Sequence, residues 1–599
     1  MGFDDKKDSS VRIGARVAVA SGLVSGRLSD LLDTDTKCLN LSNVISHILK
    51  LRLETNQQSV YAIIIHLDEF QLYIDDVRIH QKTSWELARK FFKTMLKEIG
   101  SVMRENSNAN YFIVPICTGT SAIDINFLPT EHSQRSLNLK PLNYESARSM
   151  FLDKYEYLRQ ATDKGRELVT QGLNKHYSSN SLNDESIESL STKFCNFVLK
   201  QDHFCIAMYD TGFIPKFIDD LLGPSVLTSD FDWGNQLFNK ISKRTLAKVG
   251  NNPGDWKSLD DVRTIISFGL TRQSIKRDFL LPSSMSIGEL ERAGLIYLSN
   301  FKGEQYTIVM PFILLKILNN ILLTSDVETV FPDNLLLIPT HDVPWQWQDF
   351  ENLYGYYQKA IIDSLIEVKN SMILSIKHKI YRLEVEDKNQ TDSYEKSKIN
   401  AEMKRVTNDL AIQTDKNWQL SDVFRGAKGA DTLLQRKVRL RRLKVFTENE
   451  KFLVKTSDIA KFTKFVLCDD NVSREFDRGI FRCYQGCANI DHRWILDSAD
   501  EGKKLAIFSQ IKYSERDATT TISTPAIKRW YDTTMASVEN YKTEYDVILV
   551  LFTNRTCTGT IDMEQMPELL LIYPGNMELY LSPAFAYRGL VDRPSENNY

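Results

Sequence analysis

Several absences narrow the possibilities for this chain. Nowhere in its 599 residues do about eighteen apolar side chains follow one another, so no membrane-crossing helix is expected. The eight cysteines, at 38, 117, 195, 205, 468, 483, 487 and 557, follow no framework spacing, which points to free thiols in a reducing compartment. Charge of either sign is not in excess: a formal net charge of −3 gives no overall attraction for polyanions, so nucleic-acid binding would need local patches. The opening Met1-Gly2-Phe3-Asp4-Asp5-Lys6-Lys7 has no secretory apolar region, and Lys6 stands where a myristoylation signal would want Ser or Thr. Internal repeats are absent. What remains, 42% hydrophobic and 26% charged, is an ordinary globular composition long enough for roughly four domains.

The first stretch with chemistry follows a strand. Tyr61 to Leu67 is a continuous apolar run of strand length, suited to a parallel strand covered on both faces. A helical period spans Trp85 to Ile99, a second strand is expected over Tyr111–Ile116, and a helix over Glu145–Tyr155. The first strand ends in Asp68-Glu69, where an acid can orient Mg²⁺ and a following Glu polarise water. Thr118, after the second strand, can sense a γ-phosphate, and Lys216 in Gly212-Phe213-Ile214-Pro215-Lys216 suits a lid helix reaching a nucleotide. Helices followed by a hairpin at Gly294–Leu298 and Gln305–Met310 outline a winged helix, or a plain helical subdomain with a surface hairpin. Together these segments resemble the AAA+-like signal-transduction ATPases. Their phosphate loop, G-x-x-x-x-G-K-[ST], is missing from residues 1–60, so no nest of backbone N–H groups is expected to cradle ATP. The expectation is an incomplete, truncated or degenerate ATPase-type half with no hydrolysis of its own.

The second stretch lies near the C-terminus. Asp491 opens one apolar segment, Gln510 and Lys512 close the next, and polar Asp497–Lys504 between them reads as a hairpin connection. Strand alternation puts Gln510 and Lys512 on one face, and a twisted hairpin can bring Asp491 beside them. One carboxylate and one amide carbonyl can hold a hard cation such as Mg²⁺, and an ammonium can assist attack of water on a phosphodiester. Asp497 competes as ligand, but its expected place in the turn favours Asp491. The region resembles the αβββαβ core of the PD-(D/E)xK nucleases. On that resemblance Asp491 is the metal ligand, Gln510 replaces the usual second acid, Lys512 is the catalytic lysine, and Glu351 is the acid on the first helix. A structural hairpin with solvated ends stays open beside this reading.

Two other clusters have several readings. Arg436, Lys437, Arg439, Arg441, Arg442 and Lys444 alternate with apolar residues and can neutralise DNA phosphates, serve as a nuclear import signal, or form a solvated face. Cys483, Cys487 and His492 invite zinc, but a fourth ligand is lacking and buried thiols serve as well.

As a whole the chain resembles the Crinkler effectors and the retrotransposon hot spot proteins, which pair a P-loop ATPase with such a nuclease. Ile63–Gln71, Pro115–Ser121, Leu139–Tyr155, Gly212–Leu222, Phe350–Glu351, Asn489–Lys512 and Leu579–Arg588 carry the resemblance. It implies a multidomain α/β chain: residues 1–160 an incomplete P-loop ATPase-like domain, 161–250 a helical lid, 251–335 a winged-helix-like domain, and 336–599 the nuclease domain with a charged insertion near 384–410. It also implies action on DNA in the nucleus, that of a host cell if the chain is delivered as an effector, with host nuclear proteins as possible partners and no membrane. The phosphate loop and the ubiquitin-like header of many Crinklers are absent from this sequence. A nucleic-acid-binding or interaction protein without catalysis, and a regulatory ATPase-type module, remain the alternatives.

Overall fold

A computed structural model describes residues 9–25, 37–53, 61–67, 85–105, 111–117, 141–161, 195–196, 198–199, 202–222, 233–249, 258–302, 305–325, 327–332, 335–336, 347–446, 479–483, 489–500, 502–512 and 521–590. The chain divides into two compact units, Met1–Leu139 with Gly288–Gly294, and Lys140–Ile287 with Leu295–Tyr599.

In the first unit, helices α1 (Ser9–Ala20), α2 (Leu41–Leu53) and α3 (Trp85–Glu105) accompany strands β1 (Tyr61–Leu67) and β2 (Tyr111–Cys117). The strands run parallel, with Ile65 opposite Pro115. Ile13, Ile45, Phe92 and Ile99 from the helices bury Ile65 and Ile113 in one core. The expectation of strands covered on both faces needs correcting: Ile64 is 62% exposed and Phe112 53%. Side chains alternate across a strand, and the described helices pack against only one face of this pair. Asp68, Glu69 and Thr118 lie outside the described residues.

The second unit begins with α4 (Tyr144–Ala161), α5 (Asp202–Asp210), α6 (Pro215–Leu221) and α7 (Trp233–Val249). Gly212 and Phe213 both take positive φ between α5 and α6, and Pro215 opens α6, where its missing N–H costs nothing. Next come α8 (Leu259–Thr271), capped by Ser258, and α9 (Ile287–Arg292), of which all but Ile287 belongs to the first unit. The antiparallel hairpin β3 (Tyr297–Lys302) and β4 (Gln305–Val309) precedes α10 (Phe312–Thr324). No helix among the described residues is long and apolar enough to cross a membrane.

The long α11 (Trp347–Asn389) and α12 (Ser393–Asp415) form a helical hairpin. The first half of α11 buries Leu353, Tyr354, Tyr357, Ile362 and Leu365. The charged stretch expected as an insertion is the far half of this hairpin, where Lys379 meets Glu402 at 2.8 Å and Ile399 and Val406 are buried. After β5 (Trp418–Gln419) come two one-turn helices, α13 (Leu420–Val423) and α14 (Asp431–Leu434). An eight-stranded sheet then builds up from β5, β6 (Lys437–Arg439), β7 (Lys444–Phe446), β8 (Gly479–Arg482), β9 (His492–Ser498), β10 (Lys504–Lys512), β12 (Tyr545–Thr553) and β14 (Leu569–Ile572).

The strands run β14-β12-β10-β9-β6-β5, with β8 joined to β9 and β7 to β8. Strand β9 is antiparallel to both its neighbours, β8 and β10, whereas β10, β12 and β14 run parallel. Burial of Leu505 through Ile511 without a break is what a central strand covered on both faces requires. One cover is α11, whose Tyr354 hydroxyl shares a 2.7 Å hydrogen bond with Ser509. The other is α15 (Thr524–Ser537), whose Ile527, Trp530 and Tyr531 pack with Ala506, Phe508, Leu549 and Leu551. A small parallel pair, β11 (Thr521–Ser523) and β13 (Thr556–Thr558), stands at the start of α15, and α16 (Pro574–Leu590) ends the described chain.

Candidate active site

The candidate site lies where β9 begins and β10 ends. Pairing of Ser509 with His492 puts Asp491 opposite Gln510, one step before the first residue of β9. The Asp491 N–H donates to the Ser509 carbonyl at 2.7 Å, and its carbonyl accepts from the Cys483 N–H at 2.7 Å. Ahead of it, Asn489 takes a positive φ of 67°, and the Trp530 indole N–H on α15 donates to the Asn489 carbonyl at 3.0 Å. Backbone bonds to β8 and β10 and the indole thus fix the segment that carries Asp491.

Two groups converge on Asp491 Oδ2: Gln510 Nε2 donates at 2.6 Å and the Ile511 N–H donates at 2.6 Å. Gln510 is only 4% exposed, and its Oε1 is buried with no hydrogen-bond partner. An orphaned buried carbonyl oxygen is costly. Burial raises the Asp491 pKa above the ordinary carboxylate value, against the lowering pull of the Ile511 N–H, the Gln510 amide, Lys512 and Arg482. Lys512 lies two residues beyond Gln510 on the same strand and lines a cavity of about 470 Å³.

Glu351, the expected acid of the first helix, is held in an ion pair. Its carboxylate meets Arg482 of β8 at 2.8 Å, with both side chains 12% exposed, and Arg482 also donates to Asn352 at 2.7 Å. Arg482 stands opposite His492 and favours the ionised form of Asp491, so Glu351 relates to the site through this guanidinium. His492 is buried against the Tyr354 ring at 5.1 Å. Burial, followed by Arg482, pushes its pKa down to about 3, which keeps the imidazole neutral. Gly355 is where α11 crosses this ring: a Cβ there would stand 3.3 Å from His492 Nε2.

Asp497 is not in the turn. It belongs to β9 and pairs with Arg441 at 3.4 Å and Lys504 at 3.8 Å, the turn falling after Ser498. The basic stretch is not one stripe either, since it is split between β6 and β7. Arg436 pairs with Asp546 and Arg441 with Asp497, while Lys437, Arg439, Arg442 and Lys444 are exposed. Lys216 is exposed on α6 and pairs with Asp219 at 3.4 Å. Cys487 lies outside the described residues, among which no cluster of three or more His, Cys, Asp or Glu is arranged to hold a metal ion.

The donors present suit a hard cation held weakly. Asp491 offers a carboxylate and Gln510 an unused carbonyl oxygen, which faces the carboxylate once the amide turns half round. Mg²⁺ accepts such oxygen donors and keeps most of its waters, completing its shell from substrate phosphate. Sequence reasoning missed the Ile511 N–H, Arg482 and Trp530 around this site. The Ile511 N–H leaves no mark in a sequence, and partners from distant strands and helices appear only after folding.

Comparison with models of known families, with curated proteins and with solved structures found no match.

Proposed function

We propose that the chain is a Mg²⁺-dependent nuclease acting on DNA, built on a PD-(D/E)xK-type core and related to the Crinkler and retrotransposon hot spot proteins. The observation that carries this reading is the meeting of the Asp491 carboxylate and the Gln510 amide at 2.6 Å, with Gln510 Oε1 orphaned and Lys512 two residues on. The order α11, β8, β9, β10, α15, β12, antiparallel and then parallel, supports it. Asp491 and Gln510 would hold the cation. Bound there, it would lower the pKa of a coordinated water and polarise a phosphate oxygen. Lys512 would stabilise negative charge developing on the phosphate, and Arg482, anchored by Glu351, would hold Asp491 ionised. Exposed Lys437, Arg439, Arg442 and Lys444 would contact the DNA backbone. The ATPase-like half, with Asp68, Glu69 and Thr118, would regulate without hydrolysing ATP. The place of action on this reading is the nucleus, a host's if the chain is delivered as an effector.

A non-cleaving nucleic-acid-binding scaffold is the second reading. One observation favours it: Asp491 Oδ2 already accepts two hydrogen bonds from β10 and would then serve as a structural clasp. Nicking of supercoiled plasmid in Mg²⁺ by wild type and Lys512→Ala separates the two. The nuclease reading predicts a loss of roughly a hundred-fold in Lys512→Ala, as for removal of one group that stabilises transition-state charge. Equal cutting by both proteins, or by neither, rejects it.

A further inference from the structure

The cavity beside Lys512 has a chemistry that cation binding and water activation do not use. Its volume of about 470 Å³ falls in the range of small-ligand sites. Lys512 and Arg555 bring positive charge, Thr521, Ser523 and Thr558 bring hydroxyls, and Trp530 with Ile522 and Leu551 forms an apolar wall. Neither Lys512 nor Arg555 is in an ion pair among the described residues, and Arg555 Nε is buried with no hydrogen-bond partner. Most other buried or half-buried cations around this sheet are matched: Arg436 by Asp546, Arg441 by Asp497, Arg482 by Glu351.

The walls are also held in place. The Thr553 hydroxyl accepts from the Arg555 N–H at 3.0 Å and donates to the Lys512 carbonyl at 2.7 Å, tying the two cation-bearing segments together. Across the cavity the Thr524 hydroxyl donates to the Thr558 carbonyl at 3.0 Å. Gly559 follows at φ +91°, where a Cβ would stand 2.9 Å from that same hydroxyl, so only glycine turns the chain here without strain.

Two unpaired cations with hydroxyls are the side chains that bind phosphate oxygens, arginine as a fork and lysine as a point charge. The apolar wall bearing an indole suits a base. We propose that this cavity binds one nucleotide through its phosphate group, Arg555 and Lys512 sharing the charge. The ligand chemistry is a nucleoside carrying a phosphomonoester, supplied by a phosphorylated strand end or by a free mononucleotide. Its part in substrate choice rests on the nuclease reading, because Lys512 belongs to both sites; binding itself does not.

The test is equilibrium binding of the full chain, without divalent cation, to one short oligonucleotide bearing a 5′-phosphate, a 3′-phosphate or neither, with the corresponding mononucleotide as competitor. One phosphorylated form is expected to bind roughly ten-fold more tightly than the bare strand. Arg555→Gln should abolish that preference while its circular-dichroism spectrum and plasmid binding stay as in wild type. Thr558→Val should weaken the preference, and serves alone if Arg555→Gln does not fold. Displacement by the mononucleotide assigns the cavity to free nucleotides, and resistance to it assigns the cavity to strand ends; either supports a phosphate site. Equal affinity for all three oligonucleotides, or an unchanged preference in folded Arg555→Gln, or in Thr558→Val where that variant serves alone, overturns the proposal. Because no cutting is measured, a failed nicking assay leaves this result standing, and the reverse also holds.

Discussion

Gln510 donates its side-chain amide to Asp491 Oδ2 across 2.6 Å, joining the open end of the β9–β10 hairpin, where the two residues are nineteen apart in sequence. The amide fills one lone-pair direction of the carboxylate with a neutral donor. Its own carbonyl oxygen is left without a partner.

Replacing Gln510 by Glu puts two carboxylates at this point. In chelator the variant should lose about 1–3 kcal/mol of stability, since like charges sharing a buried site disfavour each other's ionisation. Magnesium should restore more stability to the variant than to wild type, because a ligand of the folded state stabilises it in proportion to its affinity. Thermal denaturation with and without Mg²⁺ checks both arms.

The pH dependence of cation binding follows from the raised pKa of Asp491. The folded site prefers the protonated acid, so this group's contribution to stability is present below the ordinary value of 3.8 and fades as pH rises through the raised folded value. Cation affinity runs the other way, rising with pH as the proton leaves. Calorimetry in buffers of different ionisation enthalpy should show protons released on Mg²⁺ binding near the raised value and none well above it.

His492 predicts acid sensitivity. Its pKa falls from 6.5 unfolded to about 3 folded, so the neutral ring's contribution is complete above 6.5 and is lost as pH drops toward 3. The slope from one such proton is about 1.4 kcal/mol per pH unit. Urea unfolding of wild type and His492→Gln between pH 7 and 4 should show a shallower decline in the variant.

Glu351→Ala would leave Arg482 mostly buried beside His492 without its 2.8 Å carboxylate partner. Breaking such a pair costs about 3 kcal/mol, more than deleting both members. The double variant Glu351→Ala/Arg482→Ala should therefore be no less stable than Glu351→Ala alone. An additive cost in urea unfolding would show that the pair is not coupled.

Part of this structure was legible in the sequence for identifiable reasons. The apolar run at 61–67 is a strand, and the two segments that Asp491 opens and Lys512 closes are the neighbouring strands β9 and β10. The Asp491–Gln510 contact was legible because period-two alternation fixes the face and a hairpin fixes the register. Asp497 was misplaced because the polar segment 497–504 hides two strand ends, Asp497-Ser498 and Lys504, whose charges are matched across strands. The basic run at 436–444 looked continuous because the distant Asp546 and Asp497, which pair with Arg436 and Arg441, leave no trace in local sequence. For the same reason the pairing of Glu351 with Arg482 was not legible.

The most direct measurement is the initial rate of DNA cleavage as a function of Mg²⁺ concentration, for wild type and Asp491→Asn prepared side by side. Saturating, Mg²⁺-dependent cleavage by wild type and a loss of roughly a hundred-fold or more in Asp491→Asn are predicted. Identical rates in the two proteins, or a wild-type rate indifferent to Mg²⁺, would contradict the role given to Asp491.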